Sequence, residues 1–139
     1  MEEKIILQAD HVAKTFFSNK GDTDAIEDIT IDVRENEFLV LLGPGQCGKT
    51  TFLNIVAGLV KPTSGTIRLD GKEITNESIR QRSKDGMSHI PEDRHKHGLV
   101  LDYSLENNMV LQRYWQPEFQ KGGFIRSDKV REYSDKLIA

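Results

Sequence analysis

One short loop constrains this chain more than any other feature of its sequence. It consists of Gly43, Pro44, Gly45, Gln46, Cys47, Gly48, Lys49 and Thr50. These residues match the pattern GxxxxGK[ST] without a gap, after the apolar run Phe38–Leu42 and before the helix-like segment 51–57. Glycines let backbone N–H groups converge on an anion, and a helix start offers further free donors. The pattern predicts a strand, a phosphate-binding turn and a helix.

The chemistry of the loop predicts a nucleoside triphosphate with Mg²⁺ as its ligand. Lys49 is expected to neutralise the outer phosphates, and the Thr50 hydroxyl is expected to bind Mg²⁺. The alternative is an ordinary glycine-rich turn without a ligand. The flanking apolar run and helix-like segment favour the phosphate site.

Size, charge and cysteine content limit the remaining possibilities. The chain has 139 residues, the size of one domain, and a net charge of −3. This charge gives no reason to expect a nucleic-acid partner. The longest apolar run, Phe38–Leu42, is far too short to span a membrane. The single cysteine, Cys47, excludes an internal disulfide and fits a reducing compartment.

The hydrophobic pattern predicts an α/β domain. Strands are expected from Ile5, over 29–33, over 66–69 and over 87–90, besides the strand 38–42. Helices are expected over 51–57, from Ser104 to Leu111, and from Ser127. Val130, Tyr133, Leu137 and Ile138 are expected on the buried face of the last helix. Only 38–42 and 87–90 look like central parallel strands, and the last helix has no stop signal before Ala139, so the ending predicts truncation.

From Phe38 to Gly71 the chain resembles the ATP-binding subunit of an ABC transporter. In that family the loop is followed by a helix ending in Gly-Leu, then by Pro-Thr-Ser-Gly and a strand into Asp-Gly. Here these are Gly58-Leu59, Pro62-Thr63-Ser64-Gly65 and Asp70-Gly71, in the same order. The resemblance implies a partial P-loop ATPase with an N-terminal antiparallel β-subdomain and the start of a helical subdomain.

The two parts of the chain resemble different members of that family. Residues 1 to about 75 resemble importer ATPases of the nitrate, sulfonate and taurine type. Residues from about 76 to 139 resemble the second nucleotide domain of sugar and nucleoside importer ATPases, because of the run Ile90–Leu99. We therefore expect one partial domain over 1–139 with a junction near 75–77, either natural, constructed or mis-assembled.

The resemblance assigns roles to residues outside the loop. Phe16 falls at the aromatic position that stacks on adenine, with its neighbour Phe17 as an alternative. Thr51 falls beside Thr50 at a position that contacts the inner phosphates. Glu92 stands where the family usually carries a glutamine that touches Mg²⁺, so Thr50 and Glu92 are the expected metal ligands. Solvation of Glu92 in a charged loop is the alternative.

The residues that hydrolyse ATP in this family are not found in the sequence. They are an apolar strand ending in Asp-Glu, a Ser-Gly-Gly signature and a later histidine. Asp102 follows a short apolar run, but Tyr103 comes next, and Gly122-Gly123 has no serine before it. We expect MgATP binding without efficient turnover, and no catalytic residue is assigned.

Two further patterns have less specific explanations. Asn19-Lys20-Gly21-Asp22 matches the guanine-selecting NKxD motif, but no DxxG switch accompanies it and a polar loop explains it. His95 and His97, with His89 nearby, suggest a metal site, but the interleaved basic residues favour a solvated loop.

Three functions remain open at this stage. The first is the ATP-binding portion of an ABC importer ATPase, with membrane-spanning subunits and a second nucleotide-binding domain as partners. Its implied location is cytoplasmic, at the inner face of the membrane when assembled. The second is a small stand-alone NTPase or kinase. The third is a non-catalytic module that docks on a membrane subunit through residues 103–115.

Overall fold

The computed structural model describes residues 4–139, which form two compact units divided after Ser88. The start of the chain, residues 1–3, lies outside the described residues. The first unit contains strands β1 (Ile5–Phe16), β2 (Thr23–Arg34), β3 (Ser64–Leu69) and β4 (Lys72–Glu73), with helices α1 (Lys49–Ala57) and α2 (Ile79–Lys84). The second contains a π-helical turn (Arg94–Gly98), α3 (Leu105–Met109), β5 (Gln120–Lys121), β6 (Phe124–Ile125) and α4 (Ser127–Ile138).

The first unit is built on an antiparallel sheet with strand order β2-β1-β3-β4. In β2 the predicted alternation is confirmed, since Ile29 and Ile31 turn towards the core while Thr30 faces solvent. In β1 a bulge at His11, whose φ is 49°, makes Ala9 and then Val12 the buried positions. The sheet is therefore amphipathic, and its inner face needs a cover.

Helix α1 provides that cover. Its residues Phe52 and Ile55 are buried against a core formed by Ala9, Val12, Ile26, Ile67 and Ile74. The helix ends at Gly58, which has φ 81° and donates to the Ile55 carbonyl at 3.0 Å, while Leu59 donates to Asn54 at 2.8 Å. This left-handed stop is the reason for the Gly-Leu pair.

Two predicted strands are not formed. The segments 38–42 and 87–90 have no regular secondary structure, and neither takes part in the sheet. Phe38 and Leu42 are 91% and 89% exposed, and Ile90 is 81% exposed. A central parallel strand is held by ladders to its neighbours, and the described residues supply no such neighbours. The antiparallel part of the expected fold is present, and the parallel part is not.

The second unit has a small core of Val110, Phe119 and Val130, with the Tyr133 ring 5.2 Å from Phe119 in an edge-to-face contact. Helix α4 begins at Ser127 as predicted. Its predicted buried face is wrong at the end, because Leu137 and Ile138 are exposed. The helix expected from Ser104 to Leu111 covers only Leu105–Met109.

Candidate phosphate-binding site

The loop before α1 has a backbone that few side chains allow. Gln46 and Gly48 take left-handed φ values of 63° and 87°. A Cβ on Gly48 would lie 2.3 Å from the Ala25 carbonyl oxygen of β2. Gly48 is therefore required both for its conformation and for the close approach of the loop to the sheet. Gln46 has a side chain in the same region, at a cost of about 1–2 kcal/mol, and such strain is common at binding sites.

Lys49, the first residue of α1, folds its amino group back over the loop. Its Nζ donates to the carbonyl oxygens of Gly43 at 2.8 Å and Pro44 at 2.7 Å, and lies 3.2 Å from the Sγ of Cys47. The two carbonyl acceptors are uncharged, whereas phosphate oxygens add a charge–charge attraction to the hydrogen bonds of the ammonium group. The ammonium group can therefore exchange its loop carbonyls for phosphate oxygens.

The N-terminus of α1 is open to an anion. Gly48 provides no side-chain cap, and the first turn contains no acidic residue. The N–H groups of this turn and the positive end of the helix dipole therefore favour a bound anion. Thr50 in this turn is exposed and Thr51 is half-buried. The expected role of Thr50 in binding Mg²⁺ stays a prediction.

The two aromatic candidates follow each other at the end of β1. Phe16 pairs with Thr23 of β2 and is 44% exposed, while Phe17, beyond the strand, is 72% exposed. The Lys14 ammonium lies 4.9 Å from the centre of the Phe16 ring. Phe16 is thus held in the sheet and partly covered by a cation, with some of its ring surface still open.

Glu92 lies in the second compact unit, whereas Thr50 lies in the first. Glu92 is exposed in a bend before the π-helical turn, which is capped by the Asp93 side chain accepting from the Lys96 N–H. The metal role shared by Thr50 and Glu92 stays a prediction. His95 and His97 are exposed in that turn, and no group of three or more potential metal ligands occurs among residues 4–139.

The second unit also contains an open cavity of about 360 Å³. One wall is formed by residues at the end of the π-helical turn and just after it, and the other by the segment around α3. The lining residues include Leu99, Val100, Met109, Leu111 and Arg113. Asn108 fixes this region by bonding both the N–H and the carbonyl of Val100 and the carbonyls of Tyr103 and Ser104. The sequence patterns did not indicate this role of the Asn108 side chain.

Arg82 is a second residue that the sequence did not single out. It is 2% exposed, and its guanidinium donates to backbone carbonyls at the end of α1 and in the segment after β4. No periodic pattern indicates it, because α2 is short and carries basic residues at Arg80, Arg82 and Lys84 alike.

Residues 26–137 match the family model described as ABC transporter. The chain belongs to this family. Within the ABC transporter family it is an ATP-binding domain, as its curated relatives are. The nucleoside import ATP-binding protein NupA of Lactococcus lactis subsp. cremoris is 34% identical over 113 residues, covering 81% of this chain and 22% of that protein. The guanosine import ATP-binding protein NupO of Bacillus subtilis is 35% identical over 115 residues, covering 83% and 22%.

A solved structure supports the ABC fold independently of close sequence identity. It is a dimeric, post-hydrolysis ATP-binding cassette bound to ADP and Pi, with a TM-score of 0.71 at 20% identity. The match covers 96% of this chain and 56% of that chain. The predicted fold class, a partial ABC ATPase, is confirmed. The chain spans about a fifth of the length of the two import proteins. None of the helices in the described part of the chain is long and apolar enough to cross a membrane.

Proposed function

We propose that this chain is the MgATP-binding portion of an ABC importer ATPase. The observation that carries the proposal is the loop before α1, where the Lys49 ammonium rests on the carbonyls of Gly43 and Pro44 at an uncapped helix start. The functions of the two relatives, nucleoside and guanosine import, support the importer class. The residues from Gly43 to Thr51 bind the phosphates, Phe16 stacks on adenine, and Thr50 with Glu92 holds Mg²⁺.

Calorimetric titration of MgATP tests this proposal. The wild-type chain is expected to bind saturably, and Lys49→Ala to lose binding because the outer phosphates then lose the ammonium group that neutralises them alongside Mg²⁺. Lys61→Ala removes the same charge from an exposed position beyond α1 and is the matched control. Equal binding by wild type and Lys49→Ala, or no binding by either, contradicts the proposal.

We further propose that this chain turns ATP over slowly, since the sequence contains neither the Asp-Glu strand end nor the Ser-Gly-Gly signature. Phosphate release under saturating MgATP distinguishes this from a stand-alone NTPase. A turnover number of about 1 s⁻¹ or more, which is in the usual range for enzymes, would favour the stand-alone enzyme if Lys49→Ala abolishes it.

The same proposal includes two partners. In a whole transporter a second nucleotide-binding domain sandwiches ATP with this one, at the cytoplasmic face of the membrane. Residues 103–115 face a membrane-spanning subunit, which is supported by the open cavity whose lining includes Val100, Met109 and Leu111. Co-purification with membrane subunits from the same transporter tests this docking. Met109→Asp is expected to abolish it while MgATP binding stays unchanged, and unchanged docking would contradict the assignment of this surface.

The junction near 75–77 stays a prediction. Both import relatives match this chain over more than four-fifths of its length, and any match of that length includes Thr75.

A further inference from the structure

The buried guanidinium of Arg82 joins the end of α1 to the segment after β4. Its Nη1 donates to the carbonyls of Ile55 at 3.2 Å and Val56 at 2.6 Å. Its Nη2 donates to Thr75 at 3.0 Å, and its Nε to Glu77 at 3.3 Å. One side chain therefore satisfies carbonyls from two parts of the first unit, at the end of the helix that begins with Lys49.

Gly58 provides the space for this side chain. A Cβ on Gly58 would lie 2.7 Å from the Arg82 Nε and 3.0 Å from its Cδ. Gly58, which ends α1 in a left-handed conformation, thus also lies against the Arg82 side chain. The position of Arg82 is fixed by the backbone on both sides.

Removing the charge of Arg82 from water is costly, so favourable contacts in the folded protein must offset this cost. Burial lowers the pKa of Arg82, with the nearby Glu77 carboxylate acting in the opposite direction. The carbonyls that receive its N–H groups include those of the last turn of α1, the negative end of the helix dipole. A cation there stabilises the helix and fixes its axis relative to the sheet.

We propose that Arg82 is a positioning residue for the phosphate loop. It acts through α1, whose nine residues span about 13 Å. By fixing the far end of this helix, Arg82 keeps the N–H groups of the first turn and the Lys49 ammonium aligned for phosphate. This inference rests on the proposed function, namely that the loop binds ATP.

The test compares Arg82→Gln, Arg82→Lys and Arg80→Gln. The last removes the same charge from an exposed position on the same helix and is the control. Each variant is titrated with MgATP and with AMP well below its melting temperature. Arg82→Gln is expected to bind MgATP about five- to tenfold more weakly, with a smaller loss for AMP, which has fewer phosphates to align. Arg82→Lys is expected to recover part of the affinity, and Arg80→Gln to bind as wild type does.

Hydrogen exchange of the α1 amides, measured without nucleotide, gives a readout that does not depend on ATP binding. Loss of positioning is expected to accelerate exchange in the first turn, at Phe52 and Leu53, as well as near Ala57. If Arg82→Gln does not fold, the same measurement is made on Arg82→Lys, where one nitrogen replaces a fork of three.

The outcomes separate the two proposals. If Arg82→Gln only lowers the melting temperature, while its MgATP affinity and the exchange at Phe52 match wild type, the positioning role is wrong. If the wild type itself binds no MgATP, the proposed function is wrong, and the exchange at Phe52 still decides whether Arg82 holds the start of the helix.

Discussion

Phe16 and Phe17 are both candidates from sequence for the aromatic residue that stacks on adenine, but their positions in the structure differ. Phe16 is anchored in β1, while Phe17 lies beyond the strand and is more exposed. Phe16→Ala is therefore expected to weaken MgATP binding by about 1–3 kcal/mol, and Phe17→Ala to have little effect. Calorimetric titration measures both affinities.

Inorganic tripolyphosphate is the control ligand for this prediction, because it has no base. Its affinity is expected to be equal in Phe16→Ala and wild type. A larger loss of MgATP affinity in Phe17→Ala than in Phe16→Ala would transfer the stacking role to Phe17.

The residues of the loop could be predicted from sequence, and Arg82 could not, for a physical reason. The loop is local: glycine, lysine and threonine act within a few residues of one another, so their spacing carries the information. Arg82 acts through carbonyls that are 5 to 27 positions away along the chain. Such a contact depends on how the helices and strands pack, which no short pattern records.

At the scale of the secondary-structure elements, the packing of β3 against the bulge of β1 depends on Gly65. A Cβ on Gly65, whose φ is 87°, would lie 2.3 Å from the His11 carbonyl oxygen. Gly71, in the turn before β4, has a similar φ of 78° and nothing within 4 Å of its Cβ position. Gly71→Ala is expected to cost about 1–2 kcal/mol for its backbone, and Gly65→Ala about 3 kcal/mol or more because the strands must separate.

Urea denaturation gives the free energy of unfolding of both variants, and their difference isolates the contact with His11. Equal destabilisation of the two variants would contradict this account of the β1 bulge.

The same bulge carries a pH-dependent ion pair. The His11 Nδ1 lies 3.0 Å from the Asp28 carboxylate, and this hydrogen bond, with the charges of Asp28 and Asp10, raises the pKa of His11. Because the pKa is higher in the folded state, the added stability is complete below the ordinary value of about 6.5. It disappears as the pH rises through the raised value. The effect is small, since both side chains are exposed.

Asp28→Asn is expected to remove this component, so that the melting temperature at about pH 5.5 falls relative to that at about pH 8.5 when the variant is compared with wild type. Asp32→Asn, on the exposed face of the same strand, is the control and is expected to keep the wild-type difference. An unchanged difference in Asp28→Asn would show that the ion pair does not contribute.

Some secondary-structure elements are specified by a local sequence pattern, whereas others form only when a neighbouring strand pairs with them. The alternation in β2 and the Gly58 stop of α1 are local, and both were predicted correctly. The segment 38–42 has the composition of a buried strand, yet it forms no ladder in the first unit. A strand exists only when another backbone pairs with it, so composition alone does not establish one.

At the scale of the whole molecule, the two compact units have cores of very different size. The core cluster of the first consists of seven buried apolar residues, among them Phe52 and Ile55, and that of the second consists of three, among them Phe119. Exposed apolar side chains accompany both, among them Phe38, Leu42 and Phe124, each at least 80% exposed. The family resemblance gave the fold class, and it did not give this imbalance between core and surface.

This exposed apolar surface predicts that the isolated chain associates in solution. Burying apolar surface is worth about 25 cal/mol per Å², so Phe38 and Leu42 gain from any contact that covers them. Size-exclusion chromatography with light scattering is expected to show a mass that rises with concentration, and the double variant Phe38→Ser, Leu42→Ser to shift it towards the monomer. Phe17 is 72% exposed outside this segment, so Phe17→Ser is the matched control and is expected to associate as wild type does.

A monodisperse monomer with a sharp, high melting transition would show that these side chains are tolerated in water. Association that the double variant leaves unchanged would place the contact on another surface.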